Sequence, residues 1–201
     1  MRQPGALSQE DDDGGGAGRP PTRVDLLRLA RRRFLLGERL DMRAMGAELG
    51  ISRATVYRWA GNHDQLLGEV LSDLTQRTFA RAENGIRQRG RARVLAVYRN
   101  VLTMLVESKP LQTALLRDPH QFLRVATRAG PVSRATTIQC EELLRREVER
   151  GALTLATDVG ALASAMVRIG ESTIYADLLA GVEPDVDRSV EILGLLLGPA
   201  T

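Results

Sequence analysis

Apolar residues recur every three or four positions along almost the whole chain from Thr22 onward. Leu26, Ala30 and Phe34 illustrate this spacing, which collects side chains on one face of an α-helix. A half-buried strand would instead alternate every second residue, and no segment of the sequence sustains that alternation. Predicted helices cover 23–36, 42–48, 52–59, a longer segment that begins after Asn62, 92–107, 119–128, 132–149, 158–180 and 185–197. The sequence therefore predicts an all-α fold.

Charge is divided unevenly between the two ends of the chain. Residues 19–63 hold ten arginines against four acidic residues, whereas residues 151–201 hold two arginines against seven acidic residues. A basic segment at one end indicates a polyanionic partner there. Residues 1–21 combine an acidic run, a glycine run and a proline pair, so we expect a disordered tail. The rest is predicted to form an N-terminal domain, 22–68, and a larger helical domain, 69–201.

The residue inventory argues against several classes of protein. The single cysteine, Cys140, excludes an internal disulfide, and we interpret it as a buried, unreactive thiol. With only His63 and His120 beside it, no Cys/His zinc site is expected, and no other metal or cofactor is predicted. The sequence holds no nucleophile elbow and no phosphate loop, which disfavours an enzyme. It also holds no bilayer-spanning apolar run and no recognisable signal peptide, so we expect a cytoplasmic protein.

Two short predicted helices meet at Gly50-Ile51-Ser52, a pattern typical of a helix-turn-helix motif. Asp41 is the expected cap of the first helix and Ser52 of the second, while glycine permits the positive φ of a steep turn. On the second helix, Val56 is expected to face the core. The outward positions are then Arg53, Ala54, Thr55, Tyr57 and Arg58. The second helix of such a motif enters the major groove of DNA.

The residue types on this outward face suit contacts to DNA. Arginine can donate two hydrogen bonds to a guanine edge, while Ala54 and the methyl group of Thr55 can contact a thymine methyl. The hydroxyl of Tyr57 and the backbone N–H groups at the helix start suit phosphate oxygens. The alternative is an αα corner with solvated arginines in an unrelated helical protein. Turn, cap, basic face and local charge together favour DNA binding.

The segment MRAMGAELGISRATVYRWAGNHDQLL, preceded by LARRRFLLGERLDM, resembles the DNA-binding region of TetR-family transcriptional regulators over about residues 23–70. The resemblance implies a base or phosphate contact by Arg43 and a phosphate contact by His63. It also makes Arg53, Thr55 and Tyr57 contacts of the recognition helix. The full predicted DNA-binding set is Arg43, Ser52, Arg53, Ala54, Thr55, Tyr57, Arg58 and His63.

Two positions depart from the family pattern. His63 stands where lysine is usual, so its phosphate contact is expected to be weaker or to depend on pH. Trp59 and Ala60 replace a usual His-Phe pair, and we expect Trp59 to lie in the core. More loosely, the whole chain resembles the QsdR-like subgroup, which is associated with degradation of lactone signals. That resemblance implies a small-molecule effector such as a lactone or another apolar metabolite.

Apolar residues of the last two predicted helices repeat with helical spacing, which is typical of a four-helix dimer interface with two helices from each subunit. The predicted interface residues are Leu162, Met166, Ile169, Thr173, Val190, Leu193 and Leu197. The alternative is that this seam covers the core of its own subunit.

An effector pocket is expected among the helices between residues 92 and 175. Candidates that mix apolar walls with polar anchors are Tyr98, Met104, Phe122, Thr137, Arg168, Glu171 and Tyr175. The run Arg87, Arg89, Arg91 and Arg93 is interpreted as a solvated linker.

Together these features predict a homodimeric transcriptional regulator, a repressor that a small-molecule effector releases from a palindromic operator. The effector would favour a conformation in which the two half-site contacts have the wrong spacing. Two alternatives stay open at this stage, namely a DNA-binding regulator controlled by a protein partner and a helical enzyme.

Overall fold

The computed structural model describes residues 19–198, and every regular element within that range is a helix. The helices are Arg23–Leu35 (α1), Met42–Glu48 (α2), Arg53–Ala60 (α3), His63–Glu83 (α4), Gly90–Val106 (α5), Lys109–Arg117 (α6), Pro119–Thr127 (α7), Pro131–Glu149 (α8), Val159–Ile174 (α9), Ala176–Ala180 (α10) and Val186–Leu196 (α11). The predicted all-α fold is confirmed. None of the described helices combines the length and the apolarity that crossing a membrane requires. Residues 1–18 of the predicted tail, 1–21, lie outside the described residues, and Arg19 forms an ion pair with Asp25 at 2.8 Å.

The helix predictions differ from the structure in two places. The helix predicted over 158–180 is interrupted at Tyr175, which ends α9 and precedes the short α10. Helix α6 is not predicted, because Lys109-Pro110 reads as a helix break. Proline is well tolerated in the first turn of a helix, where its missing N–H has no intrahelical partner, and the hydroxyl of Ser108 caps this turn. Lys109, the only lysine of the chain, is exposed at the start of α6.

The chain forms two compact units that alternate along the sequence. Within the described residues, the first unit comprises 19–70 and 107–125, and the second comprises 71–106 and 126–198. The division after Val70 falls inside α4. The sequence predicts one continuous domain over 69–201 instead, so the presence of α6 and most of α7 in the first unit is a difference from that prediction.

Contacts to α1 and α4 explain why residues 107–125 belong to the first unit. The guanidinium group of Arg117 donates to the carbonyl oxygen of Gly37, just after α1. In the first turn of α4, the carboxylate of Asp64 accepts hydrogen bonds from Gln121 at 2.7 Å and from Arg124 at 2.8 Å. Helical periodicity gives no information about contacts at such sequence separations, so the prediction could not include them.

The first unit has an apolar core to which each of α1 to α4 contributes. Its buried residues include Leu26, Leu29, Ala30, Phe34, Met45, Val56, Leu66 and Leu67. Met45 and Val56 have no exposed area, and full burial of such a side chain stabilises the fold by roughly 1.5–3 kcal/mol. The predicted apolar stripe of α1 and the inward orientation of Val56 are therefore observed.

The second unit has its own core, in which α5, α8, α9 and α11 pack together. Cys140, Leu143 and Leu144 of α8 are almost completely buried in it. The phenol of Tyr98 lies in the same core and donates a hydrogen bond of 2.9 Å to the backbone carbonyl of Met166. Burial raises the pKa of Tyr98, because a phenolate there would lose its hydration.

Most of the residues predicted to form a dimer seam belong to this core. Met166 and Leu193 have no exposed area within one chain. Leu162, Thr173, Val190 and Leu197 are also buried, and Ile169 is partly exposed. Side chains already covered by their own chain cannot also be the contact surface for a partner. The alternative interpretation, a seam that covers the core of its own subunit, therefore describes these residues.

A buried carboxylate joins the ends of α5 and α8. Glu147 is fully buried and accepts hydrogen bonds from the backbone N–H of Gly90 and from the guanidinium group of Arg150, both at 2.7 Å. The Nε atom of Arg93 lies 3.4 Å from the same carboxylate, and Arg93 also donates to Glu83 at 2.8 Å. The network thus connects the end of α4 with the start of α5 and the end of α8.

Two of the four arginines interpreted as a solvated linker have structural contacts instead. Arg91 donates to the carbonyl oxygen of Gly194 at 3.0 Å, and Arg93 belongs to the network around Glu147. Arg87 and Arg89 are exposed in the segment before α5. The linker interpretation is therefore wrong for Arg91 and Arg93, because a helix that starts at Gly90 directs their side chains toward neighbouring helices.

Candidate nucleic-acid interface

A Schellman turn ends α2 and sets the direction of α3. The N–H of Ile51 donates to the carbonyl of Gly46 at 2.9 Å, and the N–H of Gly50 donates to that of Ala47 at 3.1 Å. Gly50 has φ of +65°, a left-handed conformation that costs a residue with a side chain about 1–2 kcal/mol. The turn therefore depends on glycine at this position, as the sequence pattern predicts.

Close approach of α2 and α3 fixes the angle between them. A Cβ atom on Gly46 would lie 2.8 Å from Cγ2 of Val56 and 3.3 Å from the carbonyl oxygen of Ile51. Both distances are shorter than ordinary van der Waals contact, so any larger residue at Gly46 would separate the two helices. Because Val56 has no exposed area, it anchors one face of α3 and leaves the opposite face outward.

Hydrogen bonds also fix the starts of both helices. The carboxylate of Asp41 accepts from the N–H groups of Ala44 and Arg43, and these hydrogen bonds lower the pKa of Asp41. The hydroxyl of Ser52 accepts from the N–H of Thr55 at 3.2 Å, and the two hydroxyl groups lie 3.0 Å apart. Both residues therefore cap their helices, as predicted.

The predicted DNA-binding residues of α3 share one exposed side of the helix. Ser52, Arg53, Ala54, Tyr57 and Arg58 are exposed, and Thr55 is partly exposed. Arg43 on α2 is exposed as well. Trp59 is only partly buried, so the structure puts it neither fully in the core nor fully on the surface. Its backbone carbonyl accepts a hydrogen bond of 2.9 Å from Arg23.

The arginines of the first unit differ in whether they are neutralised. Arg32 and Arg33 of α1 both pair with Glu48, at 2.7 and 2.6 Å. Hydrogen bonding to Glu48 raises the pKa of Arg33. Within residues 19–198, by contrast, Arg43, Arg53 and Arg58 form no ion pair. Positive charge on the outward face of α2 and α3 is therefore available to an anionic partner.

Arg53 and Tyr57 contact each other one turn apart on α3. The guanidinium carbon of Arg53 lies 5.3 Å from the centre of the Tyr57 ring, which is cation–π geometry. At exposed sites such a contact contributes about 0.5–1 kcal/mol. It restricts the orientations of a long, flexible side chain before any partner binds, which lowers the entropy loss on binding.

The start of α4 carries His63, which the sequence also assigns to DNA binding. A reciprocal capping box of Asn62 and Gln65 holds this turn, with hydrogen bonds of 2.8 and 2.9 Å. The side-chain amide of Gln121 lies 3.1 Å from Nδ1 of His63. Sequence reasoning missed Gln121 and Arg124 as neighbours of this site. Their order after Asp118-Pro119 indicates a helix start but not the element against which that helix packs.

The predicted effector residues do not form one cluster. Phe122 lies in the first unit, whereas the other six lie in the second. Tyr98 and Tyr175 are buried, and Met104 and Thr137 are partly buried. Arg168 is exposed and pairs with Glu171 at 2.7 Å, three residues along the same helix. Burial in combination with the nearby charge of Glu171 raises the pKa of Tyr175.

Residues 89–198 match a family model described as the C-terminal domain of Tetracyclin repressor-like proteins. Among solved structures, the R. erythropolis transcriptional repressor QsdR from the TetR family is 32% identical, with a TM-score of 0.84. The match covers 89% of this chain and 95% of QsdR. The reduced form of E. coli NemR has a TM-score of 0.55 at 13% identity, over 89% of this chain and 98% of its own. No match was found among curated proteins. The likeness to NemR shows a shared fold alone.

Proposed function

Because the chain belongs to the TetR family of transcriptional regulators, we propose that it is a homodimeric repressor that binds a near-palindromic operator through α3. Members of this family are regulators rather than enzymes, and they bind operator DNA as dimers. QsdR is a transcriptional repressor, which supports the same sign of regulation here. The protein would act in the cytoplasm, on operator DNA.

One observation carries the DNA-binding role, namely the unpaired arginines on the outward face of α2 and α3. Neighbouring arginines of α1 are neutralised by Glu48, whereas Arg43, Arg53 and Arg58 pair with no acid in the described part of the chain. Arginine reads guanine in the major groove, and Arg53 is partly pre-oriented by Tyr57. Phosphate contacts by Tyr57 and His63 would orient the helix without reading sequence.

Selection of DNA fragments by the purified protein tests this role. From a pool of random duplexes, the protein should enrich a near-palindrome with half-sites about one helical turn apart, roughly 34–36 Å. The double variant Arg53→Ala/Arg58→Ala should lose the enrichment. Arg134→Ala is the matched control, since Arg134 is exposed in the second unit and also pairs with no described acid. The role is refuted if no sequence is enriched, or if the double variant enriches the same one.

For the dimer, we propose a contact surface on the outer sides of the last long helices. Helix α11 exposes three large apolar side chains that lie about one turn apart or closer, namely Ile192, Leu195 and Leu196. Ala161 and Ser164 are exposed on α9 and are small enough to let a partner helix approach closely. In a family whose members are dimers, an exposed apolar stripe of this kind is best explained as the surface that contacts a second copy of the chain.

For the effector, we propose a lactone or another apolar metabolite bound in the second unit among α5, α8 and α9. Tyr98 on α5, Thr137 on α8 and Tyr175 at the end of α9 supply hydroxyl groups, and the apolar core of the second unit lies among the same helices. Thermal-shift measurements with a series of acyl lactones and their ring-opened acids test the proposal. Intact lactones should raise the melting temperature and weaken DNA binding by the same factor by which DNA weakens theirs. If no member of the series does so, this effector class is wrong.

A further inference from the structure

The side-chain amide of Gln121 lies between two groups at the start of α4. Its nitrogen is 2.7 Å from Oδ1 of Asp64 and 3.1 Å from Nδ1 of His63. Asp64 also accepts hydrogen bonds from Nε and a terminal nitrogen of Arg124, at 3.2 and 2.8 Å. All four residues belong to the first unit.

The chemistry of Asp64 determines which way the amide of Gln121 faces. A carboxylate surrounded by an arginine and an amide is ionised and can only accept hydrogen bonds. Burial alone would raise the pKa of Asp64, but the hydrogen bonds from Arg124 and Gln121 lower it. The NH₂ group of Gln121 must therefore face Asp64. Its second hydrogen is then directed at Nδ1 of His63, which has to be an acceptor.

Both partners of this hydrogen bond are held by their own helix starts. Asp118 accepts from the backbone N–H of Gln121 at 2.9 Å, which fixes the first turn of α7. The reciprocal hydrogen bonds of Asn62 and Gln65 fix the first turn of α4, where His63 is the first residue. The backbone positions of both residues are therefore fixed before their side chains contact each other.

We propose that Gln121 is a positioning residue for DNA binding that keeps His63 in the tautomer with an unprotonated Nδ1 and a protonated Nε2. This inference rests on the proposed DNA-binding function. The His63 side chain is 40% exposed, so its ring is accessible to a partner. A phosphate oxygen only accepts hydrogen bonds, so His63 can bind it only through a ring N–H. With Nδ1 occupied by Gln121, that N–H is the one on Nε2.

Imidazole nitrogen shifts of the full-length, ¹⁵N-labelled protein test the tautomer without DNA. The chain has only two histidines, and the exposed His120 is an internal reference for a ring that exchanges between tautomers. At alkaline pH, His63 should show one unprotonated Nδ1 and one protonated Nε2. Gln121→Leu should give averaged shifts like those of His120. Arg124→Gln, which touches Asp64 but not His63, should keep the wild-type pattern.

Gln121→Ala provides a second variant in case Gln121→Leu folds poorly. It removes the amide altogether, so His63 should again give averaged shifts like those of His120. Wild-type shifts already averaged like those of His120 would overturn the proposal. So would a wild-type pattern that persists in both Gln121 variants.

Binding to a pool of random duplexes at low salt tests the positioning role. Gln121→Leu should weaken binding severalfold in the wild-type background and not at all in a His63→Ala background. An equal loss in both backgrounds would show that Gln121 does not act through His63. A protein that binds no DNA at all would refute the proposed function and the phosphate contact together, while the nitrogen shifts would still decide the tautomer.

Discussion

At the scale of single residues, the helix-turn-helix geometry depends on glycine at position 46, which has no side chain. Gly46 lets Val56 and the Ile51 carbonyl approach α2 more closely than a Cβ atom would allow. Val56 is fully buried, so its side chain cannot move into solvent, and the carbonyl group of Ile51 follows a turn that is held by hydrogen bonds. Contacts within the first unit therefore set the angle between α2 and α3.

We therefore expect Gly46→Ala to destabilise the protein. Overpacking costs about 1–3 kcal/mol, and the better helix propensity of alanine offsets about 1 kcal/mol of that. Urea unfolding measures the difference. The double variant Gly46→Ala/Val56→Ala should lose less stability than the sum of the two single losses, because the shortened side chain leaves room for the new methyl group. A Gly46→Ala protein more stable than wild type by the roughly 1 kcal/mol of helix propensity alone would show that the methyl group meets no steric resistance there.

Cys140 gives a second prediction at this scale. Burial in the core of the second unit raises the pKa of the Cys140 thiol to about 12, and the nearby charge of Glu141 adds to the effect. The reactive thiolate is thus scarce at neutral pH, and the sulfur is also inaccessible. An Ellman assay should find no rapidly reacting thiol in the native protein and one in denaturant. Rapid reaction under native conditions would show that α8 opens readily.

At the scale of helices, the proposed function assigns to α3 both residues that read bases and residues that contact the phosphate backbone. Arg53→Ala should weaken operator binding by about 1–3 kcal/mol and relax the preference at one base pair. Tyr57→Phe keeps the ring next to Arg53 and removes only a hydroxyl, so its loss should be smaller and similar on all sequences. Fluorescence anisotropy on the operator and on single-base variants separates the two effects. A sequence-selective loss for Tyr57→Phe would overturn its assignment to phosphate.

Glu147 joins the ends of α5 and α8. We expect its removal to destabilise the protein more than the removal of a partly exposed glutamate on the same helix. Glu147→Ala leaves the buried N–H of Gly90 without its acceptor, which costs about 1–3 kcal/mol, whereas Arg93 keeps its ion pair with Glu83. Glu141→Ala is the matched control, because Glu141 forms only a partly exposed pair with Arg145 on the same helix, worth less than about 1 kcal/mol. If thermal unfolding shows equal losses of stability in the two variants, the network around Glu147 does not stabilise the fold.

At the scale of the whole molecule, a charge placed at an exposed residue of α11 should break the dimer, whereas a charge placed at a buried residue of α9 should unfold the subunit. Leu195 is 82% exposed, so Leu195→Glu should leave the fold intact but place a charge in the proposed dimer surface. Sedimentation should then show a monomer, and palindrome binding should fall toward that of one half-site. Met166 has no exposed area, so Met166→Asp should unfold the subunit itself by burying an unpaired carboxylate. A folded Met166→Asp monomer would place Met166 at the interface after all.

How much of the structure could be predicted depends on how far apart in the sequence the interacting residues lie. The turn at Gly50, the caps at Asp41 and Ser52 and the inward Val56 are local patterns, and the structure contains all of them. The contact of α6 with the end of α1, the hydrogen bond from Gly90 to Glu147 and the contact of Gln121 with His63 join residues more than fifty positions apart. Periodicity reports which face of a helix is apolar but not which neighbour covers it, so the seam of α9 and α11 could be assigned to the wrong partner.

The exposed Lys109 at the start of α6 has a practical consequence for chemistry on this protein. Because every other basic side chain except the two histidines is arginine, an amine-directed reagent has a single side-chain target, besides the chain's α-amino group. That target lies outside the residues that we propose for DNA binding, so a fluorophore could be attached there without neutralising any of them. For the same reason, lysine acetylation could not switch off the proposed DNA contacts of α3, and any covalent control of them would have to act on arginine, serine, threonine or tyrosine.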